Sequence, residues 1–135
     1  MPAVDRRRIA AWLLVAYLAV VAFVVFWPSA AIASSSVAWA HDLLQSIGAP
    51  RRVTPSSVEF VLNVALFVPL SFLGSRLIPR WPVRAWVALG FAASLAIELG
   101  QLAVLPGRSS TGYDVLANSL GALVGAVVAE LRNPD

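Results

Sequence analysis

The chain has 135 residues, 59% of them hydrophobic and only 13% charged, which is more apolar content than a soluble domain of this length can bury. Its formal net charge of +3 favours anionic lipid over nucleic acid as a partner, because basic and aromatic residues are not interleaved. The chain has no cysteine, which excludes disulfides, a thiol nucleophile and cysteine-based metal sites. We therefore expect an all-α integral membrane protein.

Four apolar stretches are long enough to cross a bilayer, whose hydrocarbon core requires about 20 residues of helix. They lie at about residues 9–27, 58–77, 83–105 and 111–131. Pro69 lies inside the second stretch and predicts a kink there, because proline has no amide hydrogen. The third and fourth stretches are separated by a short segment with Pro106 and Gly107, which predicts an antiparallel helical hairpin.

A shorter amphipathic segment, at about residues 34–47, connects the first two stretches. Its apolar residues recur at helical spacing, at Val37, Ala40, Leu44 and Ile47. This pattern predicts a short helix lying on the external surface of the membrane. We interpret the whole chain, residues 1–135, as one domain: a bundle of four transmembrane helices plus this interfacial helix.

The arginines predict the orientation, because positively charged residues concentrate on the cytoplasmic side of a membrane protein. With a cytoplasmic N-terminus, seven arginines fall inside and three outside. The inside group is Arg6, Arg7, Arg8, Arg76, Arg80, Arg84 and Arg132, and the outside group is Arg51, Arg52 and Arg108. We expect both termini in the cytoplasm.

An alternative interpretation makes residues 1–33 a secretory signal, with a basic start, an apolar run and small residues at Ala31 and Ala33 for cleavage. The apolar run exceeds the usual length of about 7 to 15 residues, which favours an uncleaved anchor. The remaining topology is the same in both interpretations.

Polar side chains cluster at the predicted external ends of the last three membrane helices. They are Glu59 and Asn63, Glu98 and Gln101, and Asp114 and Asn118, with Arg108 in the turn between the last two helices. Each pair is three or four residues apart and shares one helix face. A carboxylate inside a membrane helix costs about 2.5 to 3.5 kcal/mol on insertion scales, so such residues usually face the bundle interior. We predict that the three faces converge on one pocket, where Arg108 pairs with Glu98 or Asp114.

Small residues continue these polar faces along the last two helices. Gly90 and Ser94 precede Glu98 at four-residue spacing, and Gly121 and Gly125 follow Asn118. Because small residues let helices approach closely in lipid, this pattern predicts tight packing of the last two helices. The same step from Gly121 to Gly125 offers a face through which two copies of the chain would form a homo-oligomer.

Two segments, LNVALFVPLSFLG at 62–74 and SLAIELGQLAVLPGRSSTGYDVLANSLGALVG at 94–125, resemble the VanZ-like family of bacterial membrane proteins. The matching positions are Asn63, Phe67, Pro69, Glu98, Gln101, Arg108, Asp114, Asn118 and Gly121. The sequence departs from the family pattern at Ser71, where glycine is common, and at Tyr113, in a turn that is often more acidic. The resemblance implies the cytoplasmic (inner) membrane of a bacterium and an association with lowered sensitivity to teicoplanin-type lipoglycopeptides, without a defined reaction.

Three classes of function follow. In the one we favour, the pocket formed by Glu59, Asn63, Glu98, Gln101, Arg108, Asp114 and Asn118 binds an amphiphile, such as a cell-wall lipid precursor or a lipoglycopeptide. In the second, Glu98 or Asp114 acts as general acid or base on a lipid headgroup, although no serine of the motif has a histidine beside it. In the third, the polar network is structural and the protein is an assembly module.

No cofactor or metal is predicted. His41 and Asp42 are neighbours in the interfacial segment, but the HExxH spacing of zinc enzymes is missing. Glu59, Glu98 and Asp114 offer an alternative oxygen-rich site of the kind that hard cations accept.

Overall fold

The computed structural model describes residues 3–26, 31–104 and 112–132. The described chain contains five helices: α1 (Ala3–Phe26), α2 (Ala31–Ser46), α3 (Pro55–Leu77), α4 (Val83–Val104) and α5 (Gly112–Leu131). Four of them, α1, α3, α4 and α5, are long and apolar enough to cross a membrane. The predicted all-α membrane bundle with one additional short helix is therefore confirmed.

Helix α3 begins three residues before the predicted position because the local sequence caps it there. Thr54 has an extended backbone, and its hydroxyl accepts a hydrogen bond from the Ser57 amide over 3.2 Å. Pro55 fits the first turn, where no amide hydrogen is needed. Capping chemistry in the polar residues before the apolar stretch therefore determines where this helix starts.

Helix α5 is the most buried of the four membrane-length helices and packs mainly against α3, and also against α4. A Cβ at Gly121 would collide with the Val64 carbonyl, and one at Gly125 would collide with the Val68 carbonyl and the Ser71 hydroxyl. On the α4 side, a Cβ at Gly90 would meet Ala122. The predicted close packing of the last two helices is present, but the step from Gly121 to Gly125 contacts α3. A second copy of the chain would have to displace α3 to use that face.

Helix α3 continues as a helix through Pro69, which removes the amide that would bond to the Ala65 carbonyl. Side chains donate to nearby carbonyls: the Tyr17 hydroxyl bonds to Leu66 over 3.1 Å, and the Ser71 hydroxyl bonds to Phe67 over 3.2 Å. Both hydrogen bonds lie within one turn of Pro69, but neither is to the Ala65 carbonyl that the proline leaves without its helical partner.

Helix α1 packs on α3 in the opposite direction. Arg7 Nη2 donates a hydrogen bond to the Leu77 carbonyl over 2.8 Å, so α1 begins where α3 ends. We call this end of the bundle, where Arg7, Arg76 and Arg84 lie, the arginine end. The opposite end, where α3 and α5 begin and α4 ends, is the polar end.

Helix α2 packs against α3 at the polar end. His41 Nε2 lies 3.2 Å from the carbonyl of Val53, just before α3. Of the residues that predicted an amphipathic helix, Val37, Ala40 and Leu44 are partly buried, whereas Ile47 is exposed. Trp39 and Leu43 are exposed on the same side as Ile47. The short helix thus exists and keeps an apolar stripe uncovered, while its position on the external membrane surface stays a prediction.

Candidate functional site

Two hydrogen bonds between side chains link the three helices near the polar end. Asn63 Nδ2 on α3 donates to Asp114 Oδ1 on α5 over 2.7 Å. Asn118 Nδ2, one turn further along α5, donates to Ser94 Oγ on α4 over 2.7 Å. Helix α5 therefore carries one member of each pair, on the single face that the four-residue spacing of Asp114 and Asn118 predicted.

Two buried oxygen atoms beside these bonds have no hydrogen-bond partner in the part of the chain that the structure describes. They are Asn118 Oδ1 and Glu98 Oε1. Asn118 is 7% exposed, and Glu98 lies one helical turn beyond Ser94, which bonds to Asn118. A buried acceptor without a donor costs about 1 to 3 kcal/mol. The site therefore has unmet capacity to accept hydrogen bonds.

Gln101 and Glu59, two other predicted members of the pocket, have opposite surroundings. Gln101 is buried at 8% exposure and takes part in a polar or electrostatic interaction. Glu59 is exposed, because Asn63 already meets the first turn of α5 and Glu59 lies one turn nearer the start of α3. Arg108, the predicted counter-charge, lies outside the described residues.

Three polar residues that the sequence did not assign to the site make hydrogen bonds within the bundle, and one of them, Ser94, contacts the site. Ser94 is 1% exposed and, although grouped with the small packing residues, accepts the hydrogen bond from Asn118. Tyr17 and Ser71 donate to carbonyls of α3, as described above. A hydroxyl in an otherwise apolar span predicts a hydrogen bond to another part of the protein, since lipid offers no hydrogen-bond partner.

The carboxylates of the polar end are not grouped as metal ligands in the part of the chain that the structure describes. Within residues 3–26, 31–104 and 112–132, no three histidine, cysteine or acidic residues are placed to hold a metal ion. The alternative cation site at Glu59, Glu98 and Asp114 therefore finds no support in the described structure. His41 lies in α2, where its Nδ1 is 3.6 Å from the Asp42 carboxylate.

Four membrane-length helices, joined by buried polar side chains, define a multi-pass membrane protein. The model of the VanZ/LLP1 family matches residues 14–133, so the chain belongs to the VanZ/LLP1 family. The match extends from the C-terminal half, which carries the polar motifs, back to α1 and Tyr17. In the corresponding comparisons, no curated protein and no solved structure matched the chain.

Proposed function

We propose that the polar end binds the headgroup of an amphiphile, such as a cell-wall lipid precursor or a lipoglycopeptide. The observation that carries this proposal is the pair of buried acceptors, Glu98 Oε1 and Asn118 Oδ1, without donors among the described residues. Sugars and peptides present many O–H and N–H groups, which are the donors that these atoms need. Such a ligand would donate hydrogen bonds to these two oxygens.

The site would accept a ligand from the external leaflet of the inner membrane. In this orientation the arginine end faces the cytoplasm, in agreement with the positive-inside rule. Both termini then lie in the cytoplasm, and α2 rests on the external surface with its stripe of Trp39, Leu43 and Ile47 in the headgroup region. An amphiphile in the outer leaflet would need to move only a short distance to reach α4 and α5.

Binding fits the described residues better than catalysis does. The hydroxyl of Ser94 already accepts the hydrogen bond from Asn118, and no histidine accompanies it to act as a base. A purely structural role is the second candidate, and the hydrogen bonds Asn63–Asp114 and Asn118–Ser94 favour it. The two candidates differ in what happens when the polar residues are replaced.

The test is a deletion strain complemented with wild type, Glu98→Gln, Arg108→Ala or Asp114→Asn. The matched control is Glu130→Gln, which neutralises an exposed carboxylate at the opposite end of α5. Susceptibility to a teicoplanin-type lipoglycopeptide and protein abundance in the membrane are measured together.

If binding is the function, the three site variants accumulate normally but no longer protect the cells, whereas Glu130→Gln does protect them. Loss of the site variants from the membrane would support the structural role. Full protection by all variants at equal abundance would refute the assignment of the site. No protection by wild type would refute the lipoglycopeptide as ligand.

A further inference from the structure

An apolar groove of about 270 Å³ lies at membrane depth between α1 and α4. Its walls include Leu18 of α1 and Leu89 of α4, and Phe67 of α3 and Ala122 of α5 form part of its floor. Trp86 of α4 lies toward its arginine end. None of the described residues that line it has a charged side chain.

The groove opens toward lipid because α1 packs on α3 and makes little contact with α4. Leu18 is 47% exposed and Leu89 is 46% exposed, so the two walls are accessible along the mouth. In a bilayer, the molecules that can enter from this side are hydrocarbon chains.

Two residues that line the groove are close neighbours of the polar site along their helices. Ala93 lines the groove, and the next residue, Ser94, accepts the hydrogen bond from Asn118. Ala122 on the floor lies one turn after Asn118 along α5. From Ala93 to Trp86 the groove follows seven residues of α4, about 10 Å at 1.5 Å per residue. An alkyl chain attached to a headgroup at the polar site would therefore enter the groove near Ala93 and run toward the arginine end.

We propose that this groove holds one alkyl chain of the amphiphile whose headgroup occupies the polar site. The inference rests on the proposed function for the position of the headgroup, and it adds a separate site for the chain. An alkyl chain that moves from lipid into the groove gains no binding free energy from the hydrophobic effect, since both surroundings are apolar. Its binding depends on close packing along α1 and α4, so a side chain that fills the groove must weaken it.

The probe for this site is an alkyl maltoside with a brominated chain, because bromine quenches tryptophan fluorescence at short range. It is added at low mole fraction to nanodiscs that contain the full chain with Trp86 as its single tryptophan, the other four being replaced by phenylalanine. We expect quenching of Trp86 to saturate, and bromines near the chain end to quench more strongly than bromines near the sugar. The comparison of the two bromine positions needs no substitution in the groove.

Two neighbouring alanines provide a matched pair of variants. Ala93→Leu extends into the groove, whereas Ala92→Leu adds the same side chain on the exposed side of α4. We expect Ala93→Leu to raise the half-saturating mole fraction about fivefold or more, as overpacking does, and Ala92→Leu to leave it unchanged.

Quenching that rises in proportion to the mole fraction, equally in both variants, would mean contact with surrounding lipid only and would overturn the inference. Equal quenching by bromines at the two chain positions would also overturn it. Glu98→Gln separates the inference from the function on which it rests. If Glu98→Gln binds the probe normally while Ala93→Leu does not, the groove holds the chain and the headgroup assignment fails.

Discussion

Asn118 donates a hydrogen bond to Ser94 over 2.7 Å while the oxygen of the same amide has no partner among the described residues. The nitrogen of this side chain thus joins α5 to α4, and its oxygen is an acceptor available to a ligand. Both residues are buried, since Asn118 is 7% exposed and Ser94 is 1% exposed. The following substitutions separate the structural part from the part available for binding.

Asn118→Ala removes the bond to Ser94, and we expect a loss of stability of about 0.5 to 2 kcal/mol, the range of interhelical hydrogen bonds in membranes. The measurement is thermal unfolding of the purified protein in detergent. Ser119→Ala is the control, because the Ser119 hydroxyl donates to the Val115 carbonyl of its own helix. Equal effects of the two substitutions would contradict a specific role for the bond between α4 and α5.

Asn63→Asp places a carboxylate 2.7 Å from Asp114 in place of an amide donor. We expect low abundance in the membrane, because two half-buried carboxylates repel each other and, when ionised, neither donates a hydrogen bond. Combining Asn63→Asp with Asp114→Asn exchanges the donor and the acceptor, and should restore abundance to near the wild-type level. If the double variant is no better than Asn63→Asp alone, the pair does not hold α3 and α5 together as the structure indicates.

Gly121→Ala introduces a Cβ that collides with the Val64 carbonyl, so α5 must move away from α3. We expect a loss of stability of about 1 to 3 kcal/mol, as for other overpacked contacts, visible as a lower melting temperature. Gly112→Ala is the control, because the Cβ it would add meets no described atom within 4 Å apart from its chain neighbours and the backbone of its own helix. Conversion of a dimer to a stable monomer, without a lower melting temperature, would instead place Gly121 between two copies of the chain.

Tyr17→Phe removes the hydroxyl that donates to the Leu66 carbonyl beside Pro69. We expect α1 to be held less firmly on α3, with a stability loss of about 0.5 to 1.5 kcal/mol. The readout is the rate of hydrogen exchange or proteolysis in α1. Tyr113→Phe is the control, since Tyr113 is 73% exposed. Unchanged protection of α1 in Tyr17→Phe would show that apolar packing alone holds this helix.

The sequence predicted the helices and much of the polar site because membranes impose simple rules. Apolar length determined the four spans, and spacing of three or four residues placed Asp114 and Asn118 on one face of α5. Such patterns could not predict the rotation of each helix about its axis, since this rotation depends on which neighbouring helix covers each face. For this reason the sequence included Glu59, which is exposed, and left the partner of Gly121 open between α4 and a second copy. The bond from Tyr17 joins residues 49 positions apart, and nothing local signals that distance.

The packing of α5 against both α3 and α4 has a consequence for biosynthesis. It is the last of the five helices to leave the ribosome, yet it supplies Asp114 to Asn63, Asn118 to Ser94, and the glycine surface that accommodates α3. Until α5 enters the bilayer, Asn63 of α3 and Ser94 of α4 lie there without the hydrogen bonds that α5 provides, a condition that membrane proteases and chaperones can detect. Chains that stop short of α5 should therefore be cleared, so that quality control of this protein depends on α5.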